Sequence, residues 1–231
     1  MKAVLLAAGK GKRLGEATQV MPKQMLPILG KPVVVHNIEM CRRFGITDIY
    51  INLHHLPEVI MDYLGDGGRF GVAITYSREE TILGTAGGVK RMAEKLSGDR
   101  FFVIYADNYS NYDLGAIHKR HCQASADISI ALFELEDTSQ SGVAVLDEDN
   151  WIKKFVEKPR DDTIDSHWVN AGIYLMEPEL LKLIPTGFSD FGQDIIPQYI
   201  AGGYKVLGVK MPTPVVAIDT PALLEEIERQ A

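Results

Sequence analysis

Short apolar runs alternate with helix-patterned stretches from Lys2 to Glu134, and that alternation restricts the fold more than any other feature of the chain. Lys2–Ala7 reads as a buried strand. Pro32–Phe44 reads as a helix, with proline at its start and Gly45 just past its end. Strand Asp48–Leu53, helix Pro57–Leu64, strand Val72–Ser77, helix Gly87–Leu96, strand Phe101–Tyr105, helix Leu114–Ala124 and extended Asp127–Glu134 follow. A β-α-β order of this kind implies a mainly parallel sheet with helices on both faces.

The second half changes character. Val143–Leu146 and Trp151–Val156 flank Asp147-Glu148-Asp149-Asn150 and read as a hairpin. Trp168–Met176, Tyr204–Val209 and Val215–Ile218 read as strands, Pro178–Leu183 and Asp194–Ile200 as helices. Pro221–Arg229 closes the chain as a helix capped by Asp219 or Thr220. The expected fold class is α/β: a mainly parallel mixed sheet flanked by helices, carrying a small α+β lobe. With no long linker in 231 residues, one domain is expected over 1–231, with a nucleotide-type half at 1–125 and the mixed half at 126–231.

Composition narrows the partners. Acidic residues outnumber basic ones 31 to 24, and no basic stripe is visible, which excludes a nucleic-acid partner. No apolar run approaches the roughly 20 residues of a membrane span, and Ala3–Ala8 is too short for a signal sequence. Cys41 and Cys122 stand isolated, as in a reducing compartment. The expectation is a soluble cytoplasmic protein, free to form a homo-oligomer.

The loop after the first strand, Leu6-Ala7-Ala8-Gly9-Lys10-Gly11-Lys12-Arg13-Leu14, carries the chemistry. In open α/β sheets ligands bind beyond the carboxyl ends of strands, and a glycine-rich turn there lets N–H groups approach phosphate. Two familiar fingerprints fail. A dinucleotide loop needs glycine where Leu14 stands and an acid where the second strand ends Asn52-Leu53-His54. A P-loop needs Ser or Thr where Arg13 stands. What remains is a nest with Lys10, Lys12 and Arg13, followed by Pro22-Lys23-Gln24-Met25-Leu26-Pro27. Several cations around such a nest suit a polyanion such as a triphosphate, whose charge must be screened before an oxyanion attacks phosphorus.

Together with Gly30-Lys31-Pro32, these segments resemble the signature of the sugar-1-phosphate nucleotidyltransferases, and the likeness continues along the chain. The resemblance implies a Rossmann-like nucleotidyltransferase fold. It implies that Ala8, Gly9, Gly11, Lys12, Arg13 and Lys23 bind the nucleotide, with Arg13 and Lys23 on its phosphates. Leu83-Gly84-Thr85-Ala86-Gly87-Gly88 looks like the family's base-and-ribose loop, through Gly84, Thr85, Ala86 and Gly87. Asp107, the acid ending an apolar strand, matches a Mg²⁺ ligand, with Ala106 where glycine is usual. Asp219 matches the second metal aspartate in a shortened context, or else only caps the last helix. Glu157-Lys158, Asn170-Ala171-Gly172 and Asp194 match the sugar-phosphate side, through Glu157, Lys158, Asn170, Gly172 and Asp194. Arg13, Lys23 and Asp107 are the expected catalytic residues.

The implied reaction is nucleoside triphosphate plus sugar 1-phosphate giving nucleotide-sugar plus pyrophosphate, with Mg²⁺ as cofactor. Within the 84–88 loop, Gly84-Thr85-Ala86-Gly87 looks most like guanylyltransferases acting on mannose- or heptose-type sugar phosphates. With no long side chain there, a guanine would be read by backbone groups and the Thr85 hydroxyl. Uridylyl and thymidylyl transfer stay open, as do phosphocholine cytidylyl transfer and a non-catalytic regulatory homologue. Larger relatives append a β-helix, absent here, so a single activity is expected. His54 and His55 are given no role, and His118-Lys119-Arg120-His121-Cys122 is taken as a solvated helix face rather than a zinc site.

Overall fold

The computed structural model describes residues 1–11, 17–159 and 164–217. In chain order its elements begin β1 (Lys2–Leu6), α1 (Ala17–Val20), β2 (Pro27–Ile28), β3 (Lys31–Pro32), α2 (Val33–Arg43), β4 (Asp48–Leu53), α3 (Pro57–Leu64) and β5 (Ala73–Arg78). They continue with α4 (Gly84–Arg91), α5 (Ala93–Leu96), β6 (Phe101–Tyr105), β7 (Asn108–Tyr109), α6 (Leu114–Ala124), β8 (Ile128–Glu134), β9 (Gly142–Leu146) and β10 (Ile152–Glu157). Last come β11 (Trp168–Met176), α7 (Ile196–Ala201), β12 (Val206–Lys210) and β13 (Val216–Ala217). The expected class holds: a mixed, largely parallel sheet with helices packed on it.

Two compact units emerge. The first comprises Met1–Ile82, Ile104–Tyr112 and Val215–Ala231; the second comprises Leu83–Val103 and Asp113–Pro214. In the first, β1 pairs parallel with β4 from Lys2↔Asp48 to Leu6↔Asn52, and β4 pairs parallel with β5. After its first residue β1 is buried throughout, as a strand covered on both faces must be. Helix α2 turns Val34, Ile38 and Cys41 inward. Burial pushes the Cys41 thiol up to about 12, so it stays an inert protonated core group.

In the second unit, β8 pairs antiparallel with β11 and parallel with β12, and β9 with β10 forms the expected hairpin. The register of β11 against β8 slips between Asn170 and Tyr174, where Gly172 takes φ +71°. Such a bulge bends the strand and re-aims its side chains, and only glycine adopts that backbone cheaply.

Several expectations shift. The helix expected at Gly87–Leu96 starts at Gly84 and breaks at Met92, giving α4 and α5. No local side chain caps α4; its Ala86 and Gly87 N–H groups donate to the Ser189 carbonyl at 3.0 and 3.1 Å. The helix expected from Asp194 begins with a wide π-turn at Phe191, capped by the Asp190 carboxylate. Residues Pro178–Lys182 form tighter 3₁₀ turns. The closing helix Pro221–Arg229 lies outside the described residues.

The reading of His118–Cys122 as a solvated face is corrected at His121. That imidazole is buried: its Nε2–H donates to Glu177 Oε1 at 3.1 Å, and its Nδ1 accepts from the Ser129 hydroxyl at 2.8 Å. Arg100 pairs with the same Glu177 oxygen at 3.0 Å. Leu114, Ile117 and His121 recur at helical spacing, so the apolar stripe of α6 carries His121 inward. Burial holds its pKa below the ordinary 6.5; Glu177 opposes that shift, and Arg100 and His118 add to it. A depressed folded-state pKa means the unfolded chain takes up the proton first, so stability falls as pH drops below about 6.5. Urea midpoints measured from pH 7.5 to 5.5 are expected to decline, and to decline less in His121→Gln. Equal slopes in both proteins would show that His121 does not titrate on unfolding.

Candidate active site

In the first unit the glycine loop is built on long-range polar contacts. The Ala7 N–H donates to Asn52 Oδ1, and Asn52 Nδ2 donates to Glu79 Oε1, each at 2.8 Å. Both side chains are buried, so the mouth of the loop is fixed from beneath by a satisfied network. Ala8 is nearly buried, and Gly11 takes φ +61° against Thr18 and Lys23, where a Cβ would stand 2.9 Å from Thr18 Cγ2. Among the described residues, the nearest neighbour of a Cβ on Gly9 would be Gln24 Nε2 at 3.9 Å. Lys12 and Arg13 lie outside the described residues, as does Asp219. His54 and His55 donate to the Glu79 and Thr18 carbonyls at 2.8 Å, so both pin backbone around this loop.

Lys23 reaches across 84 residues of sequence to Asp107, Nζ to Oδ2 at 2.8 Å. The lysine side chain is 8% exposed and the aspartate 26%, so the pair sits half out of water and is weakly screened. The turn that presents Asp107 is gripped by buried Asn37, whose Nδ2 donates to the Ala106 and Asn108 carbonyls at 3.3 and 3.1 Å. Strand β13 pairs with β7 through Ala217↔Asn108, so the chain approaching Asp219 runs beside this turn. A carboxylate oxygen of this kind is a hard donor suited to Mg²⁺. Among the described residues no group of three His, Cys, Asp or Glu side chains gathers around a single point, so a metal held here would take its other donors from elsewhere.

The second unit gathers the other candidates around residues 187–194. The Thr85 hydroxyl donates to Asp190 Oδ2 and accepts from the Phe191 N–H, both at 2.8 Å. Asp190 Oδ1 accepts from Gly192 and Gln193, and Asp194 Oδ2 accepts from the Asp190 N–H. Glu157 lies over two glycines: a Cβ at Gly142 would stand 2.7 Å from Glu157 Oε2, and one at Gly192 would collide with the same oxygen. Burial pushes the Glu157 carboxyl up; Lys158 opposes this and Asp190 reinforces it. Lys158 stands exposed at the end of β10, its Nζ 3.7 Å from Glu157, with a left-handed φ of +49° that is costly for a side chain with a Cβ. At the β11 bulge Asn170 Oδ1 accepts from the Gly172 N–H, and Asn170 Nδ2 donates to the Tyr174 hydroxyl at 2.7 Å. The Tyr174 ring packs on Phe191 at 5.0 Å.

With this geometry in hand, residues 2–213 match the model of the nucleotidyl transferase family. The chain belongs to that family. It is 39% identical over 225 residues to the UTP–glucose-1-phosphate uridylyltransferase of Synechocystis sp., covering 91% of this chain and 58% of that protein. It is 33% identical over 202 residues to the mannose-1-phosphate guanylyltransferase of Mycobacterium tuberculosis, covering 87% of this chain and 56% of that one. The chain thus spans less than three-fifths of the length of these relatives. A Bacillus anthracis structure, provisionally named a glucose-1-phosphate thymidylyltransferase, superposes with a TM-score of 0.89 at 26% identity, over 100% of this chain and 95% of that one.

The loop at 84–88 has polar partners within the chain. The Ala86 and Gly87 amides, two of the groups expected to read a base, donate to the Ser189 carbonyl, and the Thr85 hydroxyl donates to Asp190. Gly84 and Gly87 are small because the 187–189 backbone crosses them; a Cβ at Gly84 would meet the Ser189 carbonyl, and one at Gly87 the Gly187 carbonyl. Sequence reasoning also missed Asn37, Asn52, Glu79, Asp190 and Gly142. Asp190 opens a segment already matched to the family, and its place just before the turn at Phe191 was a usable capping signal. A cavity of about 370 Å³ between Trp151 and Tyr204 is lined by none of the candidate site residues.

Proposed function

We propose that the chain transfers a nucleotidyl group from a nucleoside triphosphate to a sugar 1-phosphate, releasing pyrophosphate. The observation that carries this reading is the Lys23–Asp107 pair, a cation and a hard anion held 2.8 Å apart on a pinned turn, in a chain of the nucleotidyl transferase family. Most contacts to the triphosphate come from 1–125 and those to the sugar phosphate from 126–231. Gly9, Gly11, Lys12, Arg13 and Lys23 bind the phosphates. Glu157 and Asn170 take sugar hydroxyls, and Lys158 supplies point charge to the acceptor phosphate.

The acceptor phosphate is ionised near neutral pH, so no general base and no protein nucleophile is required. An acceptor oxygen attacks the α-phosphorus in line with the departing pyrophosphate: one P–O bond forms, one breaks, and the leaving group carries off the charge. Catalysis is then alignment and charge neutralisation. Arg13 stabilises the crowded α-phosphate, and Lys23 positions the triphosphate tail. Asp107 and Asp219 would hold Mg²⁺, which supplies Lewis-acid charge neutralisation when bound. Asn37 keeps the Asp107 turn in place, and Asn52 does the same for the glycine loop.

GTP with a mannose- or heptose-type sugar phosphate is the first reading, supported by guanylyltransferases among the relatives. A second reading, UTP with glucose 1-phosphate, is favoured by the 39% identical uridylyltransferase. Pyrophosphate release from five nucleoside triphosphates with Mg²⁺, against a panel of sugar 1-phosphates, tests both. The expected outcome is turnover with kcat/KM highest for GTP. Preference for UTP moves the assignment to the second reading, and no release from any pair refutes the transfer itself.

A further inference from the structure

We propose that Phe188 is a stacking platform for the base of the bound nucleotide. This rests on the nucleotidyl-transfer reading and adds a binding group to it. The backbone around Phe188 is pinned immediately after it. The Ser189 N–H donates to the Leu83 carbonyl at 2.9 Å, the Ser189 carbonyl accepts from Ala86 and Gly87, and Asp190 holds the Thr85 hydroxyl. Yet Phe188 is 67% exposed, against 39% for Tyr63 and 38% for Tyr204. The backbone that carries the ring needs no further ordering when a ligand covers it.

Its position gives the exposure a meaning. Phe188 Cε2 stands 3.4 Å from where a Cβ on Gly84 would be, so the ring edge lies against a residue with no side chain. Ring and glycine form a flat apolar ledge at the start of α4, on the segment whose resemblance is to a base-and-ribose loop. The polar groups of that loop are turned to Ser189 and Asp190, so the loop offers a ligand a face rather than a hydrogen-bonding edge. A planar heteroaromatic base gains most from such a surface. Stacking is tolerant of base identity because every base has a π-face. Phe188 therefore contributes affinity for the nucleotide and little discrimination among bases.

The test compares the wild-type chain with Phe188→Ala, Phe188→Leu and Phe188→Trp, using pyrophosphate release and direct calorimetric binding of GTP and UTP. Phe188→Ala is expected to raise KM and Kd for each triphosphate by about tenfold, by a similar factor for both bases. The KM for the sugar phosphate and the melting temperature are expected to stay near wild type, since the ring is exposed. Phe188→Leu should fall between, and Phe188→Trp should retain binding. Unchanged triphosphate affinity in Phe188→Ala, or a rise confined to the sugar phosphate, overturns the platform while leaving the reaction standing. A wild-type chain that neither binds nor turns over any triphosphate overturns both.

Discussion

Replacing Asp107 with asparagine is expected to leave the fold in place and to lower pyrophosphate release at least about 100-fold at saturating Mg²⁺. The asparagine keeps an oxygen for the Lys23 ammonium and the same shape for the turn held by Asn37, so little packing changes. What it removes is a negative charge. A neutral amide oxygen is a poor ligand for a hard divalent cation, and a nearby lysine no longer meets a carboxylate. The stability cost is expected to be about 1–2 kcal/mol, the difference between a charge-assisted and a neutral hydrogen bond. Thermal unfolding and pyrophosphate release measured on the same preparation separate the two effects. Near-native turnover in a correctly folded variant would remove Asp107 from the metal site.

The largest effect on stability is expected at Gly87. A valine there would drive its Cβ into the Gly187 carbonyl and crowd the Ser189 N–H, in a segment that also caps α4. Backbone cannot step aside as a flexible side chain does. The expected cost is about 3 kcal/mol, a drop of roughly 6–12 °C in melting temperature for a chain of this size. Gly9→Ala is the informative contrast, because the nearest atom of the described residues to its new methyl group would be 3.9 Å away. It is expected to melt like wild type, so any loss of activity there reports on the ligand. Should Gly87→Val melt normally and lose nucleotide binding, the glycine faces the ligand after all and the packing argument fails.

These two glycines mark the boundary of what local pattern reveals. Strands Asp48–Leu53, Phe101–Tyr105 and Trp168–Met176 and helices Pro57–Leu64 and Leu114–Ala124 were legible to the residue, because each is announced by its own run of apolar positions and its own breakers. The glycines that follow β1 and the acid two residues past β6 carry local signals of the same kind. What escaped was held together across distance: Ala7 with Asn52, separated by 45 residues, and Thr85 with Asp190, separated by 105. A small residue in a loop reads alike whether a ligand or another stretch of backbone lies against it. His121 escaped differently. Its neighbours in sequence are polar, and only the helical spacing from Leu114 and Ile117 betrays its inward position.

The threading of the chain carries a consequence for how such a protein can be made and inherited. The polypeptide passes from one unit to the other at Ile82/Leu83, Val103/Ile104, Tyr112/Asp113 and Pro214/Val215, and β6 is divided between them. No single cut releases either unit, so exchange with a relative at one crossover point would mix parts of both. During synthesis from the N-terminus, the strand pairing beside Asp107 has to wait until Val216 and Ala217 have left the ribosome. The neighbourhood of that aspartate is therefore completed late, and a chain stalled before β13 would carry Lys23 and Asp107 without the strand pairing beside them.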